Sequence, residues 1–280
     1  MKKNVVLSII LFALICSCQN TRHTEPQYLG NFNKERDLYL AHFDSKTDVD
    51  DIQSVAAVAT MLADERFDKV NYHAVAGAYG TQEGLYVPAN NLFNASFGKN
   101  WSDAHSNYEK ALKEVTLIAI NTLKDGGRIW IAEAGQSDFS ADLIKNIKST
   151  LPHIKTANRI HVVQHSDWNE SSTSEVDLAF VKANASYHKI PDGNEIGNGS
   201  PGFKTDTAAD WKHFNIQPEL LNIWEMAFEI ANRYNGKDGR YLNANIASGG
   251  MDFSDVSETC WIFGFNHLLN AEQFFNEFLH

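Results

Sequence analysis

Cysteine is scarce in this chain: three among 280 residues, at positions 16, 18 and 260. Two of them crowd the N-terminus in Ile15-Cys16-Ser17-Cys18, so the body of the chain holds Cys260 alone and cannot close an internal disulfide. Cys260 lies in the apolar run Cys260-Trp261-Ile262-Phe263 and reads as a buried hydrophobe rather than a nucleophile. Positive charge is also in short supply: 24 Lys and Arg against 35 Asp and Glu give a formal net charge of −11. So acidic a chain argues against nucleic acid or an anionic lipid surface as its main partner and suits a neutral or cationic small ligand. There is no internal repeat, no low-complexity tract and no linker inside the body of the chain. His42 and His165 do not stand in a paired spacing for zinc. Gly135-Gln136-Ser137 lacks the frame of a serine-hydrolase elbow, because Phe139 occupies the place of its second glycine.

The N-terminus is the one strongly apolar stretch. Lys2 and Lys3 precede a run from Val5 to Ile15 that is short for a membrane span. With the small Ser17 just ahead of Cys18, it looks like a bacterial lipoprotein signal cleaved before Cys18, which then carries lipid. A plain secretory signal is the alternative. Acyl chains on Cys18 would be the only membrane attachment. Gln19-Asn20-Thr21 is not an acidic signal, which favours the cell envelope and the periplasm-facing side of the outer membrane. Residues 19–36 are polar and aperiodic and read as a tether; residues 37–280 read as a single domain.

Within that domain apolar β-like runs alternate with helical patterns. Strands are expected over 38–43, 72–76, 129–132, 160–164 and 185–190. Helices are expected over 52–64, 106–124, 140–149, 174–182, 218–235 and 257–269. The alternation predicts an α/β fold, an open and mostly parallel sheet with helices on both faces. Polar residues gather after each of the first four strands, and in such a sheet those loops share one edge, where ligands bind.

The first of these loops, Asp44-Ser45-Lys46-Thr47-Asp48-Val49-Asp50-Asp51, carries four carboxylates. So many adjacent acids repel one another unless a cation sits among them, and oxygen donors suit a hard ion, Ca²⁺ first. Asp50 or Asp51 could instead serve the N-terminus of the helix that follows, but that leaves Asp44 and Asp48 unexplained. Asp255 could likewise cap the helix expected from 257. His42 reads as a structural histidine. For His165 the structural and functional readings stay open. Trp168 could stack on a sugar or simply cover the core.

Asp48-Val49-Asp50-Asp51-Ile52, together with His165-Ser166-Asp167-Trp168-Asn169 and the late Asp255, resembles the nucleoside hydrolases, and more closely a divergent nucleoside-hydrolase-like branch, over most of residues 37–270. The resemblance implies an acidic loop around Ca²⁺. Asp44, Asp51 and Asp255 would be its ligands, with a backbone carbonyl near Ser137 or Asp138 completing the shell; Asp48, absent from the family's usual loop, could take a ligand or base role. Asp50 and Asn169 would hold the sugar. Trp168, Gln82 and Gln136 are further substrate-contact candidates from their places in the converging strand-end loops, not from the resemblance. Asp48 or Asp44 would take a proton from the attacking water, and His165 would protonate the leaving group. Lys46 departs from the pattern: it stands where the family's loop carries its water-activating aspartate, and an ammonium cannot ligate Ca²⁺. The expectation is therefore a lipid-anchored, Ca²⁺-dependent hydrolase of an N-ribosyl or other glycosidic bond, acting on a small-molecule or oligosaccharide glycoside. A non-catalytic sugar- or nucleoside-binding lipoprotein on the same fold is the alternative, and a purely structural surface lipoprotein the third.

Overall fold

A computed structural model describes residues 27–206 and 216–279. The N-terminal signal segment and Cys18 lie outside the described residues. Ten strands, β1 (Tyr28–Leu29), β2 (Phe32–Asn33), β3 (Leu38–Phe43), β4 (Asn71–Ala76), β5 (Trp101–Asp103), β6 (Ile129–Ala134), β7 (Ile160–Gln164), β8 (Ser186–Lys189), β9 (Lys204–Thr205) and β10 (Met251–Asp252), occur among them. The α-helices are α1 (Asp50–Ala63), α2 (Asn90–Phe97), α3 (Tyr108–Lys124), α4 (Asp138–Thr150), α5 (Asp167–Ser172), α6 (Glu175–Asn184), α7 (Pro218–Tyr234), α8 (Ala244–Ala247), α9 (Ser257–Phe263) and α10 (Ala271–Phe278). No helix among the described residues is long and apolar enough to cross a membrane.

Six strands form one sheet in the order β5-β4-β3-β6-β7-β8, and every pairing is parallel. The inner strands are mostly apolar because both faces are covered, and successive side chains feed opposite cores. In β3, Tyr39, Ala41 and Phe43 enter the core under α1, α2, α7, α9 and α10. Leu38 and Leu40 enter the one under α3, α4 and α6. The chain winds outward from β3 to β5, then returns to the middle at β6 and winds the other way. The order therefore reverses between β3 and β6, and a crevice opens there at the carboxyl ends of the strands.

Three expectations need correction. The helix expected over 257–269 stops at Phe263, because Gly264 takes a left-handed φ of 83° that ends the turn, and Asn270 caps a separate helix, α10. The edge strand β5 was not foreseen; it is three residues long and mostly polar. Residues 27–36 are part of the domain rather than tether. β1 and β2 pair as a hairpin, the Asn31 N–H donates to the Ile262 carbonyl (2.9 Å), and buried Phe32 packs 5.1 Å from Phe263. A polar, aperiodic composition hid this hairpin, since a single buried ring holds it down.

Candidate functional site

The acidic loop leaves β3 beside the end of β6. The Asp44 N–H donates to the Ala134 carbonyl (3.1 Å), and the next residue on β6's side must be glycine: a Cβ on Gly135 (φ 149°) would lie 2.7 Å from the Asp44 Cβ. Gly135 thus lets the two loops touch across the switch point. Asp44 accepts from the Lys46 N–H (2.9 Å) and from Gln136 Nε2 (2.8 Å). Ser45 turns through φ 50° and gives its N–H to the Asp51 carboxylate. The other Asp51 oxygen, Oδ1, is buried without a hydrogen-bond partner. Asp50 and Asp51 lie in the first turn of α1, whose N-terminus favours negative charge, and no side chain caps that helix from Val49.

The C-terminal part of the chain brings the fifth acid. Asp255 sits in the 3₁₀ turn before α9, yet that helix has no side-chain cap, so the capping role does not hold. His165, buried at the end of β7, ion-pairs through Nδ1 with the fully buried Glu258 (2.9 Å). Its Nε2 is 3.8 Å from both Asp255 and Asp192 and 3.3 Å from Asn194 Nδ2.

These groups line one cavity of about 380 Å³, within the range of small-molecule sites. The segment from the end of β3 into α1 contributes Asp44, Lys46, Thr47, Asp48, Asp50 and Asp51, the end of β6 and the residue after it contribute Ala134 and Gly135, and the turn after β7 with the start of α5 contributes His165, Ser166, Trp168 and Asn169. Asn194, Lys204, Tyr241, Asn243, Ala244, Asn245 and Asp255 complete the wall. Of the residues expected from the sequence, Asp44, Asp48, Asp50, Asp51, His165, Trp168, Asn169 and Asp255 meet here. Gln82 and Gln136 do not line the cavity. Gln82 Nε2 donates to the Lys46 carbonyl (2.9 Å) and Gln136 to Asp44, so both brace the loop. Ser137 and Asp138 lie off the wall too; the Ser137 hydroxyl donates to Glu133 (2.6 Å). His42 is structural, with Nδ1 3.2 Å from Ser140 Oγ, and burial holds its pKa down at about 3.

Crowding shows in the acids' proton affinities. Burial pushes Asp44 up to about 6, with Asp48 adding repulsion. Burial does the same to Asp48, also about 6, with Asp252 adding to it. Asp255 rises to about 8, through burial and the nearby Glu258, Asp252 and Asp44, although His165 opposes the rise. Asp50 and Asp51 stand well above the usual carboxylate range, because they are buried among Asp44, Asp48 and Asp255. His165 goes the other way. Burial disfavours its charge, but Glu258, Asp255 and Asp192 hold the imidazolium up to about 9.

The donor chemistry fits a hard cation: carboxylates from both ends of the sequence face one cavity, and Asp51 Oδ1 has no other partner. The side chains are not gathered into a ready cage. Among the described residues no group of three or more His, Cys, Asp or Glu is arranged to hold a metal ion, so the acids would have to rotate inward around one. Lys46 also lines the cavity, but its ammonium donates to the Gln82 carbonyl and sits 4.1 Å from the Tyr79 ring centre.

Several residues on or behind the wall were not singled out in the sequence. Glu258 hides in an apolar helix, legible only as a charge three residues after Asp255. Lys204 pairs with buried Asp252 (3.3 Å). Tyr241, Asn243 and Asn245 lie in a stretch without strand or helix periodicity. No protein-family model matches the chain, and no curated protein matches it.

Proposed function

We propose that this protein is a Ca²⁺-dependent hydrolase of an N-ribosyl or other glycosidic bond, lipid-anchored through Cys18 on the periplasmic side of the envelope. The anchor rests on the N-terminal motif alone. The observation that carries the activity is the convergence of Asp44, Asp48, Asp50, Asp51 and Asp255 on one cavity at the topological switch point.

Asp44, Asp48, Asp51 and Asp255 would hold the ion, which when bound would supply Lewis acidity to a water and anchor sugar hydroxyls. Asp50 and Asn169, both on the cavity wall, orient the sugar. Asp44 and Asp48, both on the cavity wall, would be the groups that take the proton from that water. The surrounding carboxylates favour positive charge developing at the anomeric carbon. His165 stays protonated up to about 9 and can offer that proton at Nε2 to the leaving group. The test is turnover of a panel of nucleosides and p-nitrophenyl glycosides, with Ca²⁺ and with chelator. Turnover that needs Ca²⁺ and disappears in Asp51→Ala supports the reading. Turnover surviving in that variant refutes it.

A second reading has a specific observation behind it. Lys46 stands in the acidic loop and its ammonium is engaged by Gln82 and Tyr79 rather than free for chemistry. That favours a non-catalytic sugar- or nucleoside-binding lipoprotein. A glycoside that binds with Ca²⁺ present and is recovered intact selects this reading.

A further inference from the structure

Gln164 is the last residue of β7; it is fully buried and does not line the cavity. Its side chain nonetheless bonds to Gly135, Ser166 and Asn169, which do. Nε2 donates to the Glu133 carbonyl (3.0 Å) and the Gly135 carbonyl (2.8 Å) at the end of β6. Oε1 accepts from the Ser166 N–H (2.9 Å) and from Asn169 Nδ2 (3.3 Å) beyond β7. A carboxamide has two N–H donors and two lone pairs, so every place is filled. Burying an amide is costly unless its bonds are made, and here they tie the two strand ends that carry the cavity wall.

The chemistry of these partners fixes which way both amides point. A backbone carbonyl only accepts and a backbone N–H only donates. Gln164 must therefore turn its nitrogen to β6 and its oxygen to Ser166. That oxygen can only accept, so Asn169 must present Nδ2 to it. Oδ1 is then the Asn169 atom left for the cavity, and among the described residues no donor reaches it. The Asn169 backbone is held as well, because its N–H donates to Ser166 Oγ (3.3 Å) at the start of α5. On the other side, Gly135 is the residue against which Asp44 rests. One buried side chain thus sets Asn169 and the seat of Asp44 together.

We propose that Gln164 is a positioning residue for the ligand: it holds the Asn169 carboxamide with Oδ1 toward the cavity, so that Asn169 meets the ligand as a hydrogen-bond acceptor. The ligand group placed there is a donor, a sugar hydroxyl in the glycoside reading on which this inference rests. An ether or carboxylate oxygen in that place would face the Oδ1 lone pairs and find no donor. Gln164 itself touches no ligand and acts through Asn169.

The test is a double-variant cycle on binding by the purified protein. Gln164→Met keeps the length of the side chain and removes its amide, and Asn169→Ala removes the contact. Calorimetry with Ca²⁺ compares the parent, both single variants and the pair. The probes are inosine, uridine, p-nitrophenyl β-D-ribofuranoside and p-nitrophenyl β-D-glucopyranoside. Each single change should weaken the preferred probe by ~10-fold, the worth of one hydrogen bond. The pair should also lose ~10-fold rather than ~100-fold, because both residues serve one contact. Losses that multiply, or a Gln164→Met variant that binds like the parent, overturn the inference and leave the glycoside reading standing. A folded parent that binds none of the probes defeats the glycoside reading and this inference with it. If melting shows that Gln164→Met does not fold, side-chain amide exchange in the parent, followed by NMR, decides. Slowed exchange of the Gln164 and Asn169 amide hydrogens supports the inference. An Asn169 amide that exchanges as freely as an exposed one overturns it.

Discussion

Replacing Glu258 by Gln should destabilise the protein at pH 6 and scarcely at pH 10. Glu258 is fully buried, and its carboxylate lies 2.9 Å from His165 Nδ1 while accepting the His165 backbone N–H at 3.1 Å. The amide keeps an oxygen for the backbone bond but withdraws the charge that faces the imidazolium. Holding a proton up to about 9 instead of the ordinary 6.5 is worth about 3 kcal/mol. Breaking a buried pair by removing one partner costs about 3–5 kcal/mol. Asp255 and Asp192 remain near Nε2 at 3.8 Å and retain part of the effect, so the loss should be about 2–3 kcal/mol. The sign follows from His165 having its folded-state pKa raised. Its contribution is fully present below 6.5 and is lost as pH rises through about 9. Urea unfolding of parent and variant at pH 6 and pH 10 reads the difference. The titration of the His165 imidazole by NMR reads its cause. Equal losses at both pH values, or an imidazole titrating near 6.5 in the parent, would refute the charge-pair argument.

Three further outcomes are expected. Asp51→Asn should raise the melting temperature in chelator at pH 8 by a few degrees and leave it unchanged near pH 4, because a carboxyl raised above its ordinary 3.8 weakens the fold as pH rises. Calorimetry at the two pH values checks this. Gly135→Ala should cost about 2 kcal/mol in urea unfolding, since the new methyl meets the Asp44 Cβ at 2.7 Å on a positive-φ residue. Phe32→Ala should cost about 3 kcal/mol in the same assay, because the ring is buried against Phe263; a tether residue would cost nothing.

The sheet was legible because burial on both faces writes each inner strand as an apolar run, and β3 and β7 fall where the runs over 38–43 and 160–164 place them. The acids were legible for a related reason: a strand end is easy to find, and charge there stands out. Other elements were not, and three of the cases show why. β5 is too short and polar to carry a pattern, the β1–β2 hairpin is held by the single buried ring of Phe32, and α10 is hidden behind Gly264, whose positive φ no periodicity reveals. Within the site, Gln82 and Gln136 resembled ligand contacts because they follow strands, yet their side chains brace Lys46 and Asp44. Tyr241 was missed because an aperiodic loop meets the cavity only through long-range hydrogen bonds, such as the one to Thr47.

The central claim is that the acidic cavity binds a hard cation through Asp51. Its most direct test is the melting temperature of the purified protein across Ca²⁺ concentrations, beside Asp51→Ala. Saturation to 100 times Kd stabilises by about 2.7 kcal/mol, which for a chain of this size is a rise of roughly 5–10 °C. The account predicts that rise in the parent and its absence in the variant. A parent whose melting temperature does not move at millimolar Ca²⁺ would contradict it.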